Sequence, residues 1–217
     1  MPPRRGRPTR GRHTLRHGRW FDTSPAGVRK AAKVSGLASV VVAYASIALA
    51  ISVSPWFTWT GNWLSDLGAH MPSAPIFNLG LIASGVLATV FSVNLVSETR
   101  GAGRVGALLL TAGAVSLCLV GALPEPVGRA HLYASVAFFT LSSLALIVLG
   151  AAVTVMGKHV QGVMTSLAGV TSAVSMLYPR PWPGGAIPEI IASSMFSAVL
   201  VYLSLASPWR ARGDSNP

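Results

Sequence analysis

The feature that most constrains this chain is where its charges are missing. Asp, Glu, Lys and Arg leave six uninterrupted windows, at 34–65, 67–97, 105–124, 130–157, 159–179 and 190–209. A helix needs about 20 mostly apolar residues to cross a ~30 Å hydrocarbon core. Each window is long enough for one crossing and none comfortably holds two. The windows predict helices over Val34–Ser54, Ile76–Ser97, Val105–Leu123, Leu132–Met156, Val160–Leu177 and Pro188–Ala206. The expected fold is an all-α membrane protein, a bundle of six transmembrane helices.

Composition narrows the class further. Charged residues make up 11% of the 217 and apolar residues 51%, whereas a soluble domain carries roughly 25% charged residues. The chain cannot dress a water-facing surface, which excludes a soluble enzyme and a disordered protein. Its single cysteine, Cys118, cannot form an internal disulfide, so a disulfide-stapled module is excluded too. Eleven of the 23 charged residues fall in positions 1–33 and three in 210–217. The expected organisation is a disordered Arg-rich tail at 1–33, a six-helix domain at 34–206 and a short tail at 207–217.

Basic residues give the orientation. With six crossings both termini share a side, and that side collects fifteen Lys and Arg against two, Arg129 and Arg180, on the other. Basic residues accumulate on the cytoplasmic side, so both termini are expected in the cytoplasm of a cell-membrane protein. Trp56, Phe57, Trp59, Trp63, Tyr178 and Trp182 then gather at the outer boundary, which suits amphipathic rings and suggests an interfacial, Trp-rich first outer loop. The first apolar stretch is longer than a signal-peptide core, and Pro55 follows Ser52-Val53-Ser54; an uncleaved first helix is expected. The Arg-rich tail holds seven arginines between positions 4 and 19 without an aromatic or folded motif. Anionic lipid headgroups are its expected partner, and nucleic acid is not. Oligomeric state has no signature here.

Small residues at four-residue spacing, Thr165, Gly169 and Ala173 in one helix and Gly80 and Ser84 in another, let helix backbones approach closely in a bilayer.

The chemistry, if any, sits in the outer loops, each of which keeps one acid: Asp66, Glu125 and Glu189. Asn62, His70, Asn78, Arg129, His131 and Arg180 surround them in sequence. Ionisable groups at membrane depth are costly and tend to be functional, although the cost falls near the interface. Each residue also has a plain structural reading. Asp66 can cap a short turn closed by Gly68. Glu189, just after Pro188, suits the N-terminus of its own helix. Glu125 lies in the rigid turn Pro124-Glu125-Pro126 and can pair with Arg129. His131 can simply hydrogen-bond, with Ser135 one turn further along the same face. Asn78, two residues into its helix, needs a hydrogen-bond partner on another segment. The convergent expectation is that Asp66, Glu125 and His131 share one polar pocket, with Glu189 at its edge.

The stretch Asn62-Trp63-Leu64-Ser65-Asp66-Leu67-Gly68, followed by Ile76-Phe77-Asn78-Leu79-Gly80-Leu81 and Gly85, resembles the hallmark of an uncharacterised prokaryotic multi-pass membrane family, domain of unknown function 998. Leu123-Pro124-Glu125 with His131 and Phe138 also matches, as does Pro188-Glu189. The resemblance covers about residues 34–206. It implies six helices and polar positions at Ser65, Asp66, Asn78, Glu125, His131 and Glu189, and no established reaction.

The leading functional expectation is an outward-facing polar site for a lipid headgroup or small polar ligand, drawn from Asn62, Ser65, Asp66, Asn78, Arg129 and His131. An alternative is a membrane-embedded hydrolase acting on lipids, with Asp66, Glu125, His131 and Glu189 as candidate catalytic groups. Asp66, Glu125 and His131 could supply oxygen and nitrogen ligands to zinc, a weak signal because no His-x-x-x-His spacing is present in the outer loops. The other alternative is a non-catalytic scaffold or transporter. The expected helix centres carry no charge, which argues against an ion-coupled carrier, and no phosphate-binding Gly-x-x-x-x-Gly-Lys occurs.

Overall fold

The computed structural model describes residues 25–206 and 208–209. The expectations for the Arg-rich segment up to residue 24, and for residues 207 and 210–217, lie outside the described residues. Six helices account for nearly all the rest: α1 (Pro25–Ser52), α2 (Ser73–Glu98), α3 (Gly101–Ala122), α4 (Arg129–Val155), α5 (His159–Leu177) and α6 (Ala186–Ala206). All six are long and apolar enough to cross a membrane. Each packs on its successor and α6 returns to α1, closing a ring.

Helix α1 starts nine residues before the first window and takes up Arg29, Lys30 and Lys33. Residues 25–33 are therefore helical, not part of a disordered tail. Charges bar a segment from hydrocarbon, but they do not end a helix that continues into water. Pro25 supplies the start, since a proline costs nothing where no intrahelical N–H bond is made. α4 likewise begins at Arg129, ahead of the expected Leu132.

Hydrophobic collapse cannot drive helices together in lipid, so close backbone approach and hydroxyl bridges do so. At the α4–α5 contact Gly150 faces the carbonyl of Gly162, and a Cβ on either residue would collide with the other helix. Gly169 lies equally close to α4 at Ser143 and Ile147, Gly80 to Ser46 of α1, and Gly85 to Cys118 of α3. The hydroxyl of Ser84 donates to the Ser39 carbonyl across α2–α1 at 2.9 Å, and Ser143 donates to Ser172 across α4–α5 at 2.9 Å. One apolar core fills the bundle with Phe91, Leu110, Leu146, Leu149, Phe196 and Leu200. The outward faces carry large apolar side chains such as Val41, Leu79, Val160 and Leu205.

The two ends of the ring are built differently. At one end the chain reverses in the short connections α2–α3 and α4–α5. At the other, here termed the loop end, lie residues 53–72, 123–128 and 178–185. The first of these carries the short turn closed by Gly68 that the sequence suggests. It drops a 3-10 turn, Leu64–Gly68, into the mouth of the bundle, where Leu64 and Leu67 join Ile47, Phe77, Leu81 and Phe138 in a second apolar core. Each such leucine contributes about 2 kcal/mol relative to exposure to water. Trp56 and Trp59 stay exposed, whereas Trp63 is turned inward.

Candidate functional site at the loop end

The inserted turn is held by carboxylates. Its leading N–H groups have no intrahelical acceptor. Oδ2 of Asp66 accepts the Trp63 N–H at 3.0 Å and the side-chain amide of Asn62 at 2.9 Å. Glu189 accepts the Leu64 N–H at 2.6 Å through Oε2. Asp66 thus has the turn-capping role weighed above, but Glu189 does not cap its own helix: α6 begins at Ala186, and the carboxylate reaches across to a segment 125 residues earlier. Asn62 is fixed at both ends of its amide, since Oδ1 accepts the Thr58 N–H at 2.9 Å.

Residues 184–186 are sewn to the same loop by main-chain bonds from Gly184 to Thr60 and from Gly185 and Ala186 to Asn62. The two glycines are needed here, because a Cβ at Gly184 would enter the Asn62 backbone and one at Gly185 the Trp63 ring. The Arg180 guanidinium lies 4.9 Å above the centre of that ring, a cation–π contact that occupies one face.

On the facing side, Pro124 leads into the 3-10 turn Glu125–Val127, and Gly128 at φ +75° turns the chain into α4. Glu125 meets Asp66 rather than Arg129. Burial first, and then the hydrogen bond and charge of Asp66, push its carboxyl up to about 7. Arg129 stands exposed at the start of α4. His131 is buried, its Nδ1 2.7 Å from the Leu123 carbonyl and its Nε2 3.3 Å from Ser135 Oγ. A carbonyl only accepts, so Nδ1 carries the proton, and Nε2 accepts from the Ser135 hydroxyl.

These groups border a cleft of about 530 Å³ between the inserted turn, α4, α5 and α6. Its polar wall is Ser65, Glu125, His131, Ser135 and Glu189, and its apolar wall includes Leu132, Val136, Phe139, Met176 and Leu177. Ser65, Ser135, Phe139 and Glu189 also border a narrow inner slot of about 70 Å³ that runs into the bundle among Tyr44, Phe77, Phe138 and Phe196. Tyr44 and Ser194 share a 2.8 Å hydrogen bond between α1 and α6 beside it.

Of the residues singled out from sequence, Ser65, Glu125, His131 and Glu189 meet in the cleft, with Asp66 behind Glu125. Asn62, Asn78 and Arg129 do not line it. Asn78 instead donates to the Gly68 carbonyl at 2.9 Å and locks the end of the inserted turn, and His70 packs edge-on against Trp56. The zinc expectation fails on geometry. Among the described residues no three His, Cys, Asp or Glu side chains gather to hold a metal, and both ring nitrogens of His131 are already engaged. Sequence reading missed the Trp63 wall, the Gly184-Gly185 seam and the inner slot. The glycine pair between prolines was its one usable sign.

Comparison with curated proteins and with solved structures yields no match. The family model described as Protein of unknown function (DUF998) matches residues 37–206, a span that contains every residue of the cleft, and the chain belongs to that family.

Proposed function

We propose that the protein sits in the cell membrane with both termini in the cytoplasm and the loop end outside, and that the loop-end cleft binds the headgroup of a membrane amphiphile. The orientation rests on the fifteen-to-two imbalance of basic residues. Cysteines introduced at Ala69 and at Ala102, after replacement of Cys118, are expected to react with an impermeant reagent from opposite sides. Reaction of Ala102 alone in intact cells inverts the orientation.

The observation that carries the binding role is the two-sided cleft. Its carboxylates, hydroxyls and imidazole form one wall, while Leu132, Val136 and Leu177 on the other are 55%, 55% and 83% exposed on faces that meet lipid. Pockets of this kind orient a ligand with a few polar groups and bind its apolar remainder by contact area. A free metabolite has no use for the apolar wall, and a lipid tail has none for the polar one. Native mass spectrometry of the purified chain is expected to find lipid adducts that Ser135→Trp, which fills the cleft, removes without loss of helicity. Equal adducts on both proteins would refute the assignment.

A second reading, lipid ester hydrolysis, draws on one contact. Ser135 Oγ is hydrogen-bonded to the unprotonated nitrogen of an oriented histidine, the relation of a nucleophile to its base. Covalent labelling of Ser135 by an alkyl fluorophosphonate, lost in Ser135→Ala and His131→Ala, would establish it. Absence of labelling leaves a binding protein.

A further inference from the structure

Resting on the amphiphile reading, we infer that the headgroup taken by the cleft carries a hydrogen-bond-donating ammonium, as in a primary-amine lipid. The argument begins with Glu189. Its side chain is only 7% exposed, and it borders both the cleft and the inner slot. One carboxylate oxygen takes the Leu64 N–H, and the other receives no hydrogen bond from any described residue. That second oxygen opens on the cleft and slot rather than being sealed in the core, and an acceptor set in a largely apolar wall is favoured by a donor that reaches it. An incoming N–H at the junction of cleft and slot supplies the missing one.

The charges around it give the sign of the ligand. Asp66 and Glu125 lie close enough to act electrostatically on Glu189. No Lys or Arg among the described residues borders the cleft. Arg180 also acts on Glu189, but its guanidinium is stacked on Trp63. A phosphate or carboxylate would enter beside two carboxyl groups, with a third behind them, and no described cation on the wall to receive it. The Ser65 and Thr140 hydroxyls can accept as readily as donate, and the imidazole is committed at both nitrogens. A quaternary ammonium brings charge but no N–H for the open oxygen of Glu189, and Arg180 already covers a face of the Trp63 ring. Only a protonated amine answers both the charge and the open acceptor.

Four single-chain probes of equal length test this on the full chain in a maltoside detergent at pH 7.5: dodecylamine, dodecyltrimethylammonium, dodecanol and dodecyl phosphate. Dodecylamine is expected to bind on the order of tenfold more tightly than dodecanol, the usual return of a charge-assisted hydrogen bond. Dodecyltrimethylammonium should fall between them and dodecyl phosphate last. Glu189→Gln keeps an acceptor for the Leu64 N–H and should abolish the amine preference while dodecanol still binds. Glu125→Gln, which leaves that bond untouched, should reduce the preference if Glu189→Gln fails to fold. Equal binding of amine and alcohol overturns the ammonium assignment and leaves the amphiphile site standing. Binding of none of the four, or binding indifferent to Ser135→Trp, overturns both.

Discussion

The short-turn end and the loop end of the ring are made from the same chain by different means. At the short-turn end the polar groups serve the backbone: Thr99 returns a hydroxyl to the Leu95 carbonyl, the Lys158 ammonium reaches the Pro208 carbonyl, and Gly157 at φ +80° turns the chain between α4 and α5. At the loop end the polar groups serve one another across long sequence distances, and two carboxyl groups border one cleft with a third behind them. The difference teaches that the apolar ring is a scaffold and that the unusual chemistry has been concentrated on the connections it carries, where loops on a rigid frame commonly hold function.

The contrast can be tested by breaking each part in turn. Gly162→Leu forces a side chain into the backbone of α4, where no flexible neighbour can yield. Overpacking costs about 1–3 kcal/mol, and more where backbone must move; loss of the folded, monodisperse protein in size-exclusion chromatography is the expected result. A milder loss is expected from Asp66→Ala, which strands the Trp63 N–H and the Asn62 amide. A cost of about 1–3 kcal/mol should appear as an earlier thermal melt, with the amphiphile adducts reduced as the inserted turn loosens.

Acidity probes the cleft more gently. Glu125 holds its proton up to about 7 in the folded state, whereas the unfolded chain releases it near 4.5. The folded form therefore binds more proton between those values, so this group's contribution to stability is full below about 4.5 and declines as pH rises through 7. Melting temperature should drop over that interval in the wild type and show a flatter profile in Glu125→Gln. The smallest effect belongs to Arg129→Ala. An exposed residue that neither lines the cleft nor meets Glu125 should change stability by no more than about 0.5 kcal/mol and leave amine binding unaltered in the same titration. A marked change there would bring Arg129 into the site.

The helical frame was readable because hydrocarbon imposes one strong rule: charge-free stretches of sufficient length become spans. The rule speaks only of what lipid excludes, so it missed the start of α1 at Pro25, where the helix carries its lysines and arginine beyond the apolar stretch. In the cleft, Glu125 and His131 were legible as neighbours because only five residues, beginning in a proline-rich turn, separate them. Glu189 was recognised as notable and misassigned as a cap of its own helix, since local pattern cannot reveal an acceptor for a main-chain group 125 positions away. The inward fold of Leu64 and Leu67 was hidden for a related reason. Apolar residues in a Trp-rich loop suit a membrane surface as well as a bundle mouth, and only the space left by Phe77, Leu81 and Phe138 decides between them.

The seam between residues 60–64 and 184–189 has a consequence for the order in which the molecule comes into being. A chain made from its N-terminus presents Trp63 and Leu64 early and α6 last. The Leu64 N–H, the Asn62 carbonyl and the Trp63 ring must wait through four intervening helices for Glu189, Gly185 and Arg180. Contacts of such separation form late, after the chain between them is organised. The cleft is therefore the final part of the protein to mature, and a ribosome-stalled chain lacking α6 should present the scaffold without it.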